Sequence, residues 1–269
     1  MPELPEVENL RRYLIREGVP GRKFASVTAS WARTVKSPSV EDFVLGLRGR
    51  TVEKVHRRAK YLNIELDRGS LVLHMGMTGS LAVRGPDDER QRFAHTVFDL
   101  DDGRRIEMND PRKWASAWLV DDPSGIFEGI GPEPFDTSFT AEIFAARVRV
   151  KHSPIKSVLL DQSVLAGVGN IYADEALLRA GISPARRAHR ISADRLEALH
   201  GEIVTVLAHA IDYIDDNPLE DGRPFVTDAH DDRMQITRAK GGSCPACGGP
   251  MSARQFGGRT AYFCSRCQS

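Results

Sequence analysis

The four cysteines constrain this chain most strongly, because all of them lie in its last 26 residues as two Cys-x2-Cys pairs. The pairs are Cys244 with Cys247 and Cys264 with Cys267, separated by sixteen residues. Each pair can present two thiolates to one tetrahedral ion, and this spacing is typical of a zinc ribbon. Two disulfides are the alternative, but they fit poorly with a cytosolic chain that has no other cysteine. The sequence therefore predicts one structural Zn2+, whose four thiolate ligands leave no open position for a substrate.

The segment between the two cysteine pairs, residues 255–263, reads Gln-Phe-Gly-Gly-Arg-Thr-Ala-Tyr-Phe. Apolar and polar residues on either side of two adjacent glycines predict two short strands joined by a turn at Gly257 and Gly258. Arg259 would then lie at or beside the tip of this hairpin.

Acidic and basic residues are equal in number, 37 of each, but they are unevenly distributed. Residues 233–269 hold six bases and no acid, whereas residues 212–232 hold eight acids and one base. A second cluster of six bases lies between Arg48 and Lys60. A segment with a net charge of +6 over 37 residues is the kind of surface that binds a polyanion, although single charge runs are more often plain solvated faces.

The composition is that of a folded chain, with 41% hydrophobic and 28% charged residues. No apolar run approaches the roughly 18 residues that span a bilayer, and the N-terminus lacks the features of a secretory signal. We therefore expect a cytoplasmic protein with no membrane association.

Hydrophobic periodicity divides the chain into a β-rich part and a helical part. Val7, Leu10 and Leu14 form a helical stripe, and a period of two dominates from residue 24 to about residue 120. A Pro- and Gly-bearing stretch at 129–134 ends this part, and a helical period follows, clearest over residues 196–214. The sequence predicts an α+β protein with an N-terminal helix, an antiparallel β-sandwich or barrel, a helical domain and the ribbon. The predicted domains are residues 1–132, 133–240 and 241–269.

Several separated motifs accompany this organisation, and each of them alone is weak. They are Pro2-Glu-Leu-Pro-Glu-Val-Glu8, Arg57-Arg-Ala-Lys-Tyr-Leu62, His74-Met-Gly-Met-Thr-Gly79, Asn109-Asp-Pro-Arg112, Leu160-Asp-Gln162, Gly167-Val-Gly-Asn-Ile-Tyr172, and the ribbon with Arg259. Together and in this order they resemble the formamidopyrimidine-DNA glycosylase family of base-excision repair enzymes. The resemblance covers the whole chain and implies a helix-two-turn-helix element in the helical domain.

The N-terminus has chemistry that fits this resemblance. Removal of Met1 would give Pro2 a free secondary amine, and α-amino groups titrate near pH 7.7 to 8.0, so a useful fraction is neutral and nucleophilic. Its attack on C1′ of a nucleotide gives an iminium, which acidifies the adjacent sugar proton and permits strand cleavage by β,δ-elimination. Glu3 could act as general acid on the sugar ring oxygen. The alternative is that Pro2 and Glu3 only start a helix.

The resemblance also implies roles for other residues. It places Lys60 and Arg259 in the catalytic site as phosphate contacts, with Asn170 on the DNA backbone; otherwise Asn170 is a plain turn residue. Lys156 and His74 are further DNA-binding candidates. A base can be removed only from an extruded nucleotide, so something must fill the gap in the base stack. The positions that match the family's gap-filling trio are Met77, Arg112 and Trp114, where the family usually has Phe at the third.

One segment departs from the family pattern. The family's oxidised-purine enzymes usually enter the ribbon through Val-Tyr-Gly-Arg, whereas residues 235–240 here read Gln-Ile-Thr-Arg-Ala-Lys after the acidic stretch. We expect a monomeric glycosylase and abasic-site lyase that acts on oxidised purines in damaged double-stranded DNA. The alternatives are the same chemistry on oxidised pyrimidines, hydantoins or abasic sites, and a catalytically silent, zinc-dependent protein that binds damaged DNA.

Overall fold

Helix α1 (Leu4–Arg16) opens the fold in a computed structural model that describes residues 2–225 and 234–269. The N–H of Glu3 donates to the carboxylate of Glu6 at 2.7 Å, as in a capping box, and Pro5 lies in the first turn, where its missing N–H is harmless. The predicted apolar stripe is confirmed, since its members are all buried: Val7, Leu10 and Leu14.

Nine strands follow in the part of the chain up to residue 120 that the structure describes. They are β1 (Phe24–Ala29), β2 (Val35–Ser37), β3 (Val52–Arg58), β4 (Tyr61–Leu66), β5 (Ser70–His74), β6 (Ser80–Arg84), β7 (Ala94–Leu100), β8 (Arg105–Asn109) and β9 (Ser116–Val120). One sheet has the order β1-β7-β8-β6, and the other has the order β2-β9-β5-β4-β3. The side chains of β4 alternate between partly and fully buried, as the sequence predicts, and Leu62, Ile64 and Leu66 belong to one apolar core.

One strand pair differs from the antiparallel expectation, because β2 runs parallel to β9. Helix α2 (Val40–Leu47) follows β2, so no hairpin connects β2 to its neighbour in the sheet. Long connections leave strand direction free, whereas short hairpins force antiparallel pairing.

The remaining elements are mainly helical. They are α3 (Ser124–Phe127), α4 (Ala141–Arg149), α5 (Ile155–Leu160), α6 (Asn170–Arg179) and α7 (Ala193–Asp216), and then the strands β10 (Ser252–Phe256) and β11 (Arg259–Phe263). The predicted apolar stripe of α7 is fully buried, with Leu196, Leu199, Ile203, Val206, Leu207, Ala210 and Ile214. The α+β class with a C-terminal hairpin is confirmed.

The chain divides into two compact units. The first runs to Glu128 and takes in a segment that starts at Ile214, and the second comprises Gly129–Tyr213 and the C-terminal segment with the cysteines. Domain boundaries at residues 132 and 240 stay a prediction. No helix in the described ranges has the length and hydropathy of a membrane span. Part of the predicted acidic stretch, residues 226–232, and Arg233 lie outside the described residues.

Candidate functional site

Pro2 and Glu3 are both buried at the start of α1. The helix is tied to the turn between β3 and β4, since Arg57 donates from Nε to Glu8 at 3.2 Å and from Nη1 to the Ala59 carbonyl at 3.1 Å. Burial favours the neutral acid, but the hydrogen bond from Arg11 and the charges of Arg11, Arg57 and Arg12 together outweigh it and lower the pKa of Glu8. A carboxylate therefore fixes the N-terminal helix against this turn.

The turn between β3 and β4 carries Lys60. Two residues connect the paired positions Arg58 and Tyr61, and the first of them, Ala59, has a φ of 50°. A left-handed conformation at a residue other than glycine costs about 1 to 2 kcal/mol, and such strain is often found at functional sites. The side chain of Lys60 is buried, with only 8% exposure. The strained turn thus holds an ammonium group inside the first unit.

His74 ends strand β5 opposite Tyr61, with ring centroids 4.8 Å apart. Its Nδ1 accepts a hydrogen bond from the N–H of Gly76 at 3.2 Å, which leaves the ring proton on Nε2. Burial, together with the nearby charge of Lys60, lowers the pKa of His74 to about 4. At neutral pH, His74 is therefore an uncharged hydrogen-bond donor close to the Lys60 ammonium.

The structure brings the loops of Met77 and Trp114 together. Gly76 has a φ of 61°, and a Cβ there would lie 2.6 Å from the carbonyl carbon of Trp114, so only glycine permits this approach. Met77 is half-buried. The side chain of Trp114 is 52% exposed, and the Arg112 guanidinium lies 4.1 Å from the centre of its ring. All three predicted gap-filling residues therefore lie on two loops in direct contact.

Asp110, which was not among the predicted site residues, organises these two loops. Its buried carboxylate accepts from the hydroxyl of Thr78 at 2.7 Å and from three backbone N–H groups, those of Arg112 (3.1 Å), Trp114 (2.5 Å) and Ala115 (2.6 Å). An Asp-Pro pair is a typical turn signal, and the Asp side chain often bonds to amides further along the chain. That signal could have identified Asp110 as a positioning residue.

In the second unit, Asn170 is the first residue of α6. Its Nδ2 donates to the carbonyl of Thr260 in β11 at 3.0 Å. Gln162 braces the preceding loop, accepting from the Gly167 N–H at 2.9 Å and donating to the Val168 carbonyl at 2.8 Å. Asn170 therefore connects a helix N-terminus, which attracts anions, to the hairpin.

The predicted hairpin is confirmed by the pairing of Phe256 with Arg259. Gly257 and Gly258 form its two-residue turn with φ values of 55° and 73°, a combination that only glycine adopts at little cost. Arg259 is exposed beside this tip, as predicted.

Lys156 is fully buried, and its ammonium donates to the Asn170 carbonyl at 2.5 Å and to Asp174 at 2.7 Å. A lysine in this position orients the start of α6, and its contact with DNA stays a prediction. Arg238 also donates to Asp174, at 2.9 Å, and the N–H of Tyr262 does so at 3.2 Å. Burial raises the pKa of Asp174, and the two cations offset part of that rise.

The segment that departs from the family pattern is anchored on the same helix. The carboxylate of Glu175 accepts from the N–H groups of Gln235 at 3.2 Å and Ile236 at 2.9 Å. Burial raises the pKa of Glu175 as well. Two consecutive acids of α6, Asp174 and Glu175, therefore hold residues 235–238, a role that no local sequence motif indicates.

The four cysteine sulfurs lie within 4.8 Å of one another. The Sγ atoms of Cys244 and Cys267 are 3.9 Å apart, and those of Cys247 and Cys264 are 3.6 Å apart, far longer than a disulfide bond. Tetrahedral Zn2+ with Zn–S distances near 2.3 Å requires sulfur separations of about 3.8 Å. The cluster therefore fits one zinc ion, as predicted. Gln268 supports it by accepting from the Cys264 N–H at 2.7 Å and donating to the Ile182 carbonyl at 2.9 Å.

Comparison with protein families gives two matches. Residues 1–117 match the formamidopyrimidine-DNA glycosylase N-terminal domain, and residues 130–217 match the formamidopyrimidine-DNA glycosylase H2TH domain. The formamidopyrimidine-DNA glycosylase of Symbiobacterium thermophilum is 39% identical, with 100% of this chain and 89% of that protein covered. The one from Herpetosiphon aurantiacus is also 39% identical, with both chains covered completely.

Solved structures give the same result. A complex between Lactococcus lactis Fpg and DNA containing an abasic site has a TM-score of 0.89 at 30% identity, with 99% of each chain covered. A structure of MutM with DNA containing carbocyclic 8-oxo-G has a TM-score of 0.88 at 31% identity, again with 99% of each chain covered.

Proposed function

The chain belongs to the formamidopyrimidine-DNA glycosylase family of base-excision repair enzymes, and on that basis we propose which of its residues carry the reaction. The family is one of DNA glycosylases that are also abasic-site lyases. Two similar structures hold DNA with an abasic site and with an 8-oxo-G analogue, and damaged duplex DNA is the substrate class that we assign here. The relatives are bacterial, which favours the cytoplasm or nucleoid as its location.

Pro2 is the proposed nucleophile. After removal of Met1, its nitrogen attacks C1′ of the damaged nucleotide and loses its proton, while the base leaves with the electrons of the glycosidic bond and takes up a proton. Cleavage of the C1′–O4′ bond then opens the sugar ring and leaves an iminium. Loss of the neighbouring sugar proton then expels the 3′ phosphate, and a second elimination expels the 5′ phosphate. Glu3, the next residue, protonates the ring oxygen and moves protons in the later steps.

The observation that carries this proposal lies in the first unit. Arg57 ties Glu8 of α1 to the turn that carries Lys60, and Tyr61 next to Lys60 packs against His74, and a helix start alone would need none of these contacts. Lys60 supplies a positive charge for a phosphate next to the lesion, and His74 supplies a neutral N–H. Met77, Arg112 and Trp114 fill the gap left by the extruded nucleotide, with Arg112 donating to the estranged base.

In the second unit, Asn170 and Arg259 are the proposed phosphate contacts. Asn170 begins helix α6, and its side chain is bonded to Thr260 in the strand that Arg259 starts. This bond fixes the two proposed phosphate-binding residues relative to each other. We assign Lys156 a positioning role at Asn170, because its ammonium is buried between two acceptors.

The preferred lesion is a further part of the proposal. Arg238 is bound to Asp174 and lies 5.0 Å from the ring centre of Tyr262, so its side chain is committed to α6. Residues 235–240 are anchored in this way, and their sequence differs from Val-Tyr-Gly-Arg. We therefore infer a preference for lesions whose excision depends little on a loop that closes over the extruded base. Hydantoins and bare abasic sites are such lesions, whereas 8-oxoguanine is less so.

Borohydride trapping tests the nucleophile. Hydride adds to the iminium carbon and leaves a stable amine, so wild-type protein should become covalently attached to a duplex with an abasic site. Pro2→Gly should trap far more slowly, while Pro5→Ala, a matched change three residues along, should trap like wild type. Equal trapping by Pro2→Gly, or full activity in protein that mass spectrometry shows to retain Met1, would exclude Pro2 as nucleophile.

A further inference from the structure

Basic side chains in the first unit differ in what holds them. Several are bound by carboxylates, and these include Arg11, Arg12, Arg16, Arg22, Arg50, Arg57, Arg84, Arg104 and Arg105. A smaller group rests on aromatic rings, and none of its members has a carboxylate at ion-pair distance among the described residues.

This second group extends beyond the proposed wedge. The ammonium of Lys113 lies 4.3 Å from the ring centre of Trp31, and the guanidinium of Arg33 lies 5.8 Å from the same centre. The guanidinium of Arg92 lies 5.2 Å from the ring centre of Phe93. All three cations are exposed. We call these three cations and two rings the aromatic-backed patch.

Backbone contacts place the three segments of the patch beside each other. The carbonyl of Phe93 accepts from the N–H of Asp110 at 3.0 Å, two residues before Arg112. The N–H of Ser30, next to Trp31, donates to the carbonyl of His95 at 2.8 Å. The nearby carboxylate of Asp110 is already engaged by Thr78 and three backbone N–H groups.

An aromatic ring orients a cation without neutralising it, whereas a carboxylate does both. Because rings and not carboxylates hold them, the cations of the aromatic-backed patch keep their positive charge on the surface, at and beside the loop of Arg112. We propose that the aromatic-backed patch is a second DNA-binding surface, which contacts phosphates of the strand opposite the lesion. The choice of strand rests on the proposed function, in which Arg112 faces the base opposite the lesion.

The test uses a duplex that carries tetrahydrofuran, an abasic analogue that the enzyme cannot cleave. The dissociation constants of wild type, Arg33→Ala, Arg92→Ala and the double variant are measured as a function of salt. Each lost phosphate contact should flatten the slope of log K against log salt by about 0.9, and the double variant by about 1.8. Arg22→Ala is the matched control, because the Arg22 side chain is 41% exposed but lies near Asp101 and Asp102. It should keep the wild-type slope.

Methylphosphonates, which replace charged phosphates with neutral ones, then identify the strand. Methylphosphonates in the strand opposite the lesion should abolish the difference in salt slope between wild type and the double variant. Methylphosphonates in the damaged strand should leave that difference unchanged. Unchanged slopes in both single variants, as expected for a surface that binds a protein, would overturn the proposal. The proposal would also be overturned if methylphosphonates in the damaged strand, and not in the opposite strand, abolished the difference in slope. Equal flattening of the slope by Arg22→Ala would overturn it as well. Borohydride trapping by wild type tests the proposed function separately, because it does not depend on the variants.

Discussion

The carboxylate of Asp110 accepts a hydrogen bond from the hydroxyl of Thr78 at 2.7 Å, and this bond joins the loop of Met77 to the loop of Trp114. Each of the two loops connects a strand of one sheet to a strand of the other, β5 to β6 and β8 to β9, so no local sequence preference holds them in register. One buried carboxylate does so, together with the close backbone approach at Gly76.

Asp110→Asn should loosen the proposed wedge. An amide keeps one acceptor oxygen but brings its own N–H2 against backbone donors, and losing hydrogen bonds to a charged group costs about 1.5 to 3 kcal/mol. We expect at least tenfold slower excision from a fully paired duplex, a change of about 1.4 kcal/mol in activation free energy. A lesion opposite a one-nucleotide gap leaves no stack to fill, and its excision should fall much less.

The control for that experiment is Asp122→Asn, which alters an exposed turn carboxylate bonded to Ser124. Asp122→Asn should change the excision rate on neither the fully paired nor the gapped duplex. Equal slowing of Asp110→Asn on the paired and gapped duplexes would indicate general unfolding instead of a loosened wedge.

Removal of one zinc ligand should cause the loss of both the metal and DNA binding. Cys264→Ser is expected to lose one equivalent of zinc by metal analysis and most of its affinity for damaged duplex, because binding energy at such a site is folding energy. Ser265→Ala, one residue further along, should retain both properties. A well-folded wild-type preparation without zinc would contradict the assignment.

Arg259→Ala should flatten the salt dependence of DNA binding by about 0.9 in log K against log salt, the value for one phosphate contact. Arg179 is a suitable comparison, because it lies in the same unit and is exposed but is paired with Glu202 at 2.6 Å. If Arg179→Ala and Arg259→Ala flatten the slope equally, the effect belongs to the protein's general charge and not to a contact of Arg259.

His74 should make the fold sensitive to acid. Its pKa is lowered from 6.5 to about 4, so the folded state resists protonation, and the stability from this group is complete above pH 6.5. That stability should fall as the pH decreases from 6.5 and level off near pH 4, by at most about 3 kcal/mol. Urea unfolding of His74→Gln should show a smaller decrease over this range, whereas His209→Gln, a change at an exposed histidine of α7, should follow wild type.

Hydantoins and abasic sites should be processed about tenfold faster than 8-oxoguanine, equivalent to about 1.4 kcal/mol, because poorly stacked lesions cost less to extrude. Repulsion between the acidic stretch and DNA supports this prediction, but ion pairs within the protein reduce that repulsion. Asp215 contacts Arg12 and Arg16, and Asp221 contacts Arg223 and Arg84, so part of its charge is compensated. Excision rates measured side by side on a panel of single-lesion duplexes test this order. If 8-oxoguanine opposite cytosine is excised fastest, the prediction is wrong.

Local patterns in the sequence predicted the features that depend on neighbouring residues. The cysteine spacing gave the metal cluster, the stripe in α1 gave its buried face, and Gly257 with Gly258 gave the hairpin turn. Contacts between distant residues were not predictable in this way. The parallel pairing of β2 with β9 and the burial of Lys156 against Asp174 depend on how separate segments meet, which no local period encodes.

The exposure of Trp114 gives the protein a built-in optical signal. The chain has three tryptophans, and the other two, Trp31 and Trp118, are each partly covered, so the indole most accessible to water is the one on the proposed wedge. Indole emission shifts to shorter wavelength or is quenched when water around the ring is replaced by stacked bases. Stopped-flow fluorescence of the unlabelled protein can therefore time insertion into the duplex separately from the chemical steps that follow.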